Sequence, residues 1–307
     1  MSNISNSSVS DISTFTAATL VIADSISVIS LIAYGCVCFV LWKGRNEEFK
    51  NSFYRLALSL GSMDMTYLIM QLAYATVEAL LGKERLPLWY ILIAGAIASF
   101  SAWSLLLHVV VLGVNRLTAV FLLHKYKLFW TSTKVYLCIG FCHLFSAGTT
   151  TFFFAVGCHS HAPEGMVYRY TCKGDPAQIK ALELHMLFKS LIMNVVQAGI
   201  NCTIIGYLCC CRVKNSSNSI KRELSLVVQF VLISAVYFLY FSLYWITLVL
   251  QMSQRLSPQH ADAIVGVWGI LNSAINPFIY LAFSSDIRKA VFGNKHSSAV
   301  FTITNKV

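Results

Sequence analysis

The residues of this 307-residue chain with chemistry to offer are polar side chains set within long apolar runs. Asp64, Gln71 and Glu78 stand seven apart, with Tyr67 and Tyr74 beside them. At about 3.6 residues per turn these five share one helical stripe. Ser101, Ser104, His108 and Asn115 share a face farther along, as do Ser190, Asn194, Gln197 and Asn201, with Lys189 a fraction of a turn away. Tyr237, Tyr240, Phe241 and Tyr244 recur at steps of three and four. Carboxylates and histidines of this kind could serve hydrolysis or hold a metal. The patterns such chemistry needs are missing, because no HExxH, nucleophile elbow or phosphate loop occurs. His108 and His143 fall on separate helices without a third ligand, and Cys158-His159-Ser160-His161 has no ligand-rich second half. Neither catalysis, a metal nor a cofactor is therefore expected. The seam suits water, an ion or a bound molecule.

The elements that carry these groups must cross a membrane. Hydrophobic residues make up 57% of the chain and charged residues 12%, about half the charge of a soluble domain. Apolar runs of the roughly 20 residues needed to cross hydrocarbon lie near 18–42, 54–81, 88–115, 134–157, 183–211, 224–251 and 261–283. The expected fold is an all-α membrane protein, a seven-transmembrane helix bundle. A carboxylate at mid-membrane costs about 2.5–3.5 kcal/mol on insertion scales. Asp64 must therefore face the bundle interior. Other polar residues have a plainer reading as well. Ser101, Ser104 and Asn201 suit helix packing, and Tyr244 and Trp245 suit the interfacial belt. Lys189 either contacts a ligand or snorkels to the outer surface.

Basic residues give the orientation. Sixteen Lys and Arg fall on one side, among them Lys43, Arg55, Arg116, Lys125, Lys134, Arg222 and Arg288, against six on the other. The sixteen belong in the cytoplasm, which places the N-terminus outside. Because this charge is spread over loop ends rather than gathered in a groove, the net charge of +10 does not point to nucleic acid. Residues 1–13 have no signal-like apolar core, so the first span is expected to direct insertion. Asn3-Ile4-Ser5 and Asn6-Ser7-Ser8 are then glycosylation acceptors on the outer face. Cys158 and Cys172 are the only two of ten cysteines in an outward loop, where a disulfide persists, and are expected to pair. Cys209, Cys210 and Cys211 end the fifth span and are open to two readings, palmitoylation or unmodified apolar thiols. The expected division is a glycosylatable outer segment 1–17, a receptor-like bundle 18–292 and a short inner tail 293–307.

At Leu271-Asn272-Ser273-Ala274-Ile275-Asn276-Pro277-Phe278-Ile279-Tyr280 the chain resembles the seventh helix of rhodopsin-like G-protein-coupled receptors, with the NPxxY motif at Asn276, Pro277 and Tyr280. Other marks fall in the right spans and order. Leu60-x-x-x-Asp64 resembles the second-helix aspartate motif, Asn115-Arg116-Leu117 stands at the close of the third span in place of the family's Asp-Arg-Tyr triplet, and Tyr126 follows at a family offset. Asp286 to Phe292 resembles the short cytoplasmic amphipathic helix 8. The departures are an amide beside Arg116, no cysteine at the start of the third span, no tryptophan in the fourth, no proline in the fifth or sixth, and Phe241 at the toggle-tryptophan position. With its short third inner loop, the pattern is similar to nematode serpentine chemosensory receptors.

That resemblance implies a plasma-membrane receptor, a sensory neuron's membrane being one setting, that binds a small molecule from outside and activates a heterotrimeric G protein by helix rearrangement. It assigns Asn115, Arg116, Tyr126, Asn276, Pro277 and Tyr280 to coupling and activation. It assigns Asp64, Asn272, Ser273 and Asn276 to a rearranging polar cluster. Leu105 takes the place of the third-helix hydroxyl that helps bind sodium in the family, so water is the expected occupant at Asp64. Ala98 and Ile270 replace the residues that would bind a biogenic amine or retinal. Trp103, Lys189, Tyr240, Phe241 and Tyr244 are expected to line a pocket for a small, partly apolar or acidic molecule. The alternative reading is a multi-span ion channel or small-molecule transporter. The absence of an inverted repeat and of paired broken helices weighs against it.

Overall fold

A computed structural model describes residues 14–44, 49–82, 85–122, 125–161, 169–172, 175–210 and 218–293. The glycosylation acceptors Asn3 and Asn6, Cys211 and the tail from 294 lie outside these residues. The first helix runs Thr14–Lys43. The second runs Ser52–Met70, widens into a π turn at Gln71–Ala75 and ends at Thr76–Leu81. The third is Leu88–Phe121, the fourth Ser132–Ala155, the fifth Pro176–Cys210 and the sixth Asn218–Met252. The seventh is Pro258–Ala274 followed by Asn276–Phe283.

Six of these rods hold stretches long and apolar enough to cross a membrane, and the fifth carries the shorter apolar stretch Leu191–Tyr207. Local sequence fixes several ends. Asn51, Thr131 and Ser257 cap the second, fourth and seventh helices by accepting from backbone N–H groups of Phe53, Lys134 and His260. The seventh breaks at Ile275, where Pro277 has no N–H to give the preceding turn.

The third helix is the axis of the bundle and packs against the second, fourth, fifth and sixth. Its outline corrects one expectation. Asn115-Arg116 does not close the span, because Leu117 to Phe121 continue the helix. The positive charge reads as an interface in the sequence, yet the guanidinium folds inward and is fully buried. A two-stranded hairpin, β1 (Cys158–His161) and β2 (Arg169–Cys172), follows the fourth helix, with Cys158 opposite Cys172. These two cysteines are disulfide-bonded, as expected. Cys158 packs with Trp103 and Phe153, which seats the stapled loop on the bundle. A last helix, Ser285–Phe292, starts from a Ser284 cap, ends at Gly293 with φ 65 and buries Ile287.

Candidate functional site

Around Asp64 the seam closes as the carboxylate demands. The Tyr34 hydroxyl donates to Oδ2 at 2.5 Å and also lies 3.0 Å from the Ser273 carbonyl oxygen. Asn276 Nδ2 donates to the same Oδ2 at 2.9 Å, and the Tyr237 hydroxyl approaches Oδ1 at 3.5 Å. Four helices, the first, second, sixth and seventh, thus meet on one side chain. Asn272, Ser273 and Tyr280 are buried with them. Asn272 Oδ1, Asn276 Oδ1 and the Tyr280 hydroxyl have no hydrogen-bond partner within the described protein, the condition that internal water answers. Asp64 itself is met by hydroxyl and amide donors. Among the described residues no cluster of three or more His, Cys, Asp or Glu could hold a metal ion.

At the far end of the third helix Arg116 is caged by Asn115, Tyr126 and Phe53. Its Nε and Nη2 donate to Asn115 Oδ1 at 3.1 and 2.6 Å, and Nη2 also donates to the Tyr126 hydroxyl at 2.8 Å. The guanidinium lies over the Phe53 ring, 4.6 Å from its centroid. Asn115 Nδ2 donates to Ser52 Oγ at 2.9 Å, and Ser52 Oγ and the Tyr126 hydroxyl are 2.5 Å apart. Tyr126 is placed by the single-turn helix Tyr126–Phe129, folded back under the bundle. Asn115 Oδ1 thus accepts twice from the guanidinium.

Between these two centres, His108 and His143 lie 5.1 Å apart, ring to ring. One tautomer set satisfies the five contacts around them, with Ser104 Oγ, 3.3 Å away, as a second acceptor for His108 Nδ1–H. Ser104 Oγ donates to His143 Nδ1 (3.1 Å), His143 Nε2 donates to Ser59 Oγ (3.5 Å), Ser59 Oγ donates to His108 Nε2 (2.8 Å) and His108 Nδ1 donates to the Ser104 carbonyl (2.7 Å). The circuit ties the second, third and fourth helices. It is a satisfied interior pair rather than a ligand set.

The expected pocket residues fall into two groups. Lys189 Nζ sits 4.7 Å from the Trp103 ring centroid and 4.4 Å from that of Phe145, and donates to Thr149 Oγ1 at 3.4 Å. It is half-buried against side chains of the third and fourth helices. Tyr240 pairs edge-on with Phe241 at 5.1 Å and faces Gly269, where a methyl group would meet Tyr67 and Tyr240. Tyr244 is half-buried farther along the sixth helix. Upstream, Thr76 Oγ1 donates to Asp24 Oδ1 at 2.8 Å and lies 3.0 Å from the Gln71 carbonyl, which also accepts from the Thr76 backbone N–H across the π turn.

Sequence reasoning missed Tyr34, Ser52, Phe53 and the Ser59 bridge. Tyr34 had one legible trace, a lone hydroxyl deep in the first apolar span. The others depend on which helices adjoin. The chain matches no curated protein. A family model described as the serpentine type 7TM GPCR chemoreceptor Srv matches residues 23–295, from the first helix to beyond the last. By that match the chain is a member of the Srv family of serpentine seven-transmembrane chemoreceptors, a multi-pass membrane protein of a receptor rather than an enzyme family.

Proposed function

We propose that this receptor binds a small molecule from outside the cell and passes the signal to a heterotrimeric G protein through Arg116. The observation that carries the reading is the cage itself, in which a fully buried arginine near the cytoplasmic end of the third helix donates to an amide and a phenol and lies over an aromatic ring. Asn115 and Tyr126 are neutral acceptors, and Phe53 contributes a ring face. Hydrogen bonds to an amide and a phenol can be exchanged for others at an opened inner face, so these contacts can rearrange with the helices. The ligand shifts the balance only by its differential affinity for the two states. Pro277 and the break at Ile275 give the seventh helix a joint at which Tyr280 and Asn276 can move relative to Asp64. Water fills the space beside the unpaired amide oxygens.

In this reading the N-terminus is outside, sugar is carried on Asn3 and Asn6, and the helix Ser285–Phe292 lies on the cytoplasmic membrane surface as helix 8. Trp103 and Lys189 recognise an acidic or aromatic part of the ligand, and Tyr240, Phe241 and Tyr244 its apolar body. The test is a panel of organic acids and neutral odorants read by nucleotide exchange. Lys189→Met is expected to weaken acidic agonists by about tenfold, the scale of a desolvated charge contact, and to leave neutral ones nearly unchanged. Tyr240→Ala is expected to weaken both. Unchanged potency for every agonist in both variants would remove these residues from the pocket.

A further inference from the structure

We infer that the cytoplasmic-side groove between the third and fourth helices is a binding site for one anionic phospholipid. The groove, about 380 Å³, is lined by Val114, Thr118, Phe129, Trp130, Leu137, Cys138 and Lys134. Val114, Phe129 and Leu137 are 40%, 50% and 67% exposed. They lie on the outside of the bundle, so the groove opens sideways to lipid, where no water-soluble ligand competes. Trp130 Nε1 donates to Thr118 Oγ1 at 2.5 Å, which satisfies the one polar atom of its side chain. The indole face is left to line an apolar wall.

One cation stands at the rim. Lys134 Nζ donates to the Leu128 carbonyl at 2.9 Å, which fixes its position and leaves two further N–H donors for a phosphate or carboxylate. The arrangement of an acyl-sized trough, an aromatic at its end and an ammonium at the level of the headgroups is complementary to a negatively charged lipid. Occupancy would bear on the coupling centre. Phe129 of the groove and Tyr126 of the Arg116 cage lie on the same single-turn helix. Thr118 Oγ1 accepts from Trp130 and lies 2.9 Å from both the Val114 and the Asn115 carbonyl oxygens, between which its one proton is shared. The assignment of this face to the cytoplasmic leaflet rests on the proposed orientation; the site itself does not.

Purified receptor in nanodiscs of phosphatidylcholine, with or without phosphatidylserine, tests it. Cys138 lines the groove, and its rate of modification by N-ethylmaleimide, localised by peptide mass spectrometry, reports access. Phosphatidylserine is expected to slow the reaction about fivefold, the worth of one interfacial lysine against an anionic headgroup. Lys134→Gln should abolish that difference, and Val114→Trp should shield Cys138 in both lipids. Native mass spectrometry gives a second reading if the thiol proves inert, with wild type retaining one more phosphatidylserine than Lys134→Gln. Equal protection in both lipids, or equal lipid retention by the two proteins, would overturn the site. No agonist or G protein enters the assay, so failure of the signalling reading would leave its outcome untouched.

Discussion

Asp64→Leu is expected to cost the folded receptor about 3 kcal/mol or more and to remove most of it from the cell surface. The substitution is apolar and membrane-compatible, so an account based on hydropathy alone would expect a gain. The geometry gives the opposite sign. Tyr34, Asn276 and Tyr237 donate to the carboxylate from three other helices. Each buried donor left without an acceptor costs about 1–3 kcal/mol. The cost belongs to the orphaned partners, so it should shrink when they are removed together. Tyr34→Phe in the Asp64→Leu background is expected to recover part of the loss, and the double-mutant cycle measures the coupling. Thermal unfolding in detergent and surface labelling are the readouts. A variant as stable as wild type would mean that these helices do not meet on Asp64.

Gly113→Leu is expected to raise ligand-independent nucleotide exchange. A Cβ at Gly113 would lie 3.0 Å from Phe230 Cζ and 3.2 Å from Ile200 Cγ2. The glycine is thus the seat that lets the sixth and fifth helices close on the third. A methyl group asks neighbours to yield by a few tenths of an ångström, but a leucine leaves no room. Overpacking of this kind costs about 1–3 kcal/mol, and it acts only on the state in which the helices are closed. If the active form parts them, that form is favoured about five- to a hundredfold until it dominates. Gly113→Ala should show a smaller rise. Adding Phe230→Ala to Gly113→Leu should return exchange toward the basal value. If Gly113→Leu reaches the surface and signals no more than wild type, closure of the sixth helix on the third is not what restrains the receptor.

What could be read without coordinates follows a simple physical division. Apolar runs of bilayer length announce the rods, and Asp64 is conspicuous because charge in hydrocarbon needs a reason. The Cys158–Cys172 pair was legible because loop and compartment left those two thiols together. Ends were less legible. Polar interfacial residues continue a helix as well as apolar ones do, so the fifth helix begins at Pro176 and the third runs on to Phe121. Partners across helices were least legible. Arg116 stood out, but its capture by Tyr126 depends on a four-residue turn folding back, and its seat on Phe53 on how two rods adjoin. His108 and His143 gave no sign of meeting, because nothing in a single chain says that Ser59 and Ser104 bridge them. The surroundings of Tyr240 and Phe241 were illegible for the same reason, since aromatic residues on a common stripe of one helix do not reveal which neighbour they face.

Arg116 is the group proposed to carry ligand occupancy to the G protein. The direct measurement is agonist-stimulated nucleotide exchange by reconstituted receptor on a panel of G proteins, comparing wild type with Arg116→Ala at matched amounts of folded, agonist-binding protein. The expected result is retained agonist binding with stimulated exchange lowered at least tenfold. Full exchange by Arg116→Ala at equal occupancy would contradict the account.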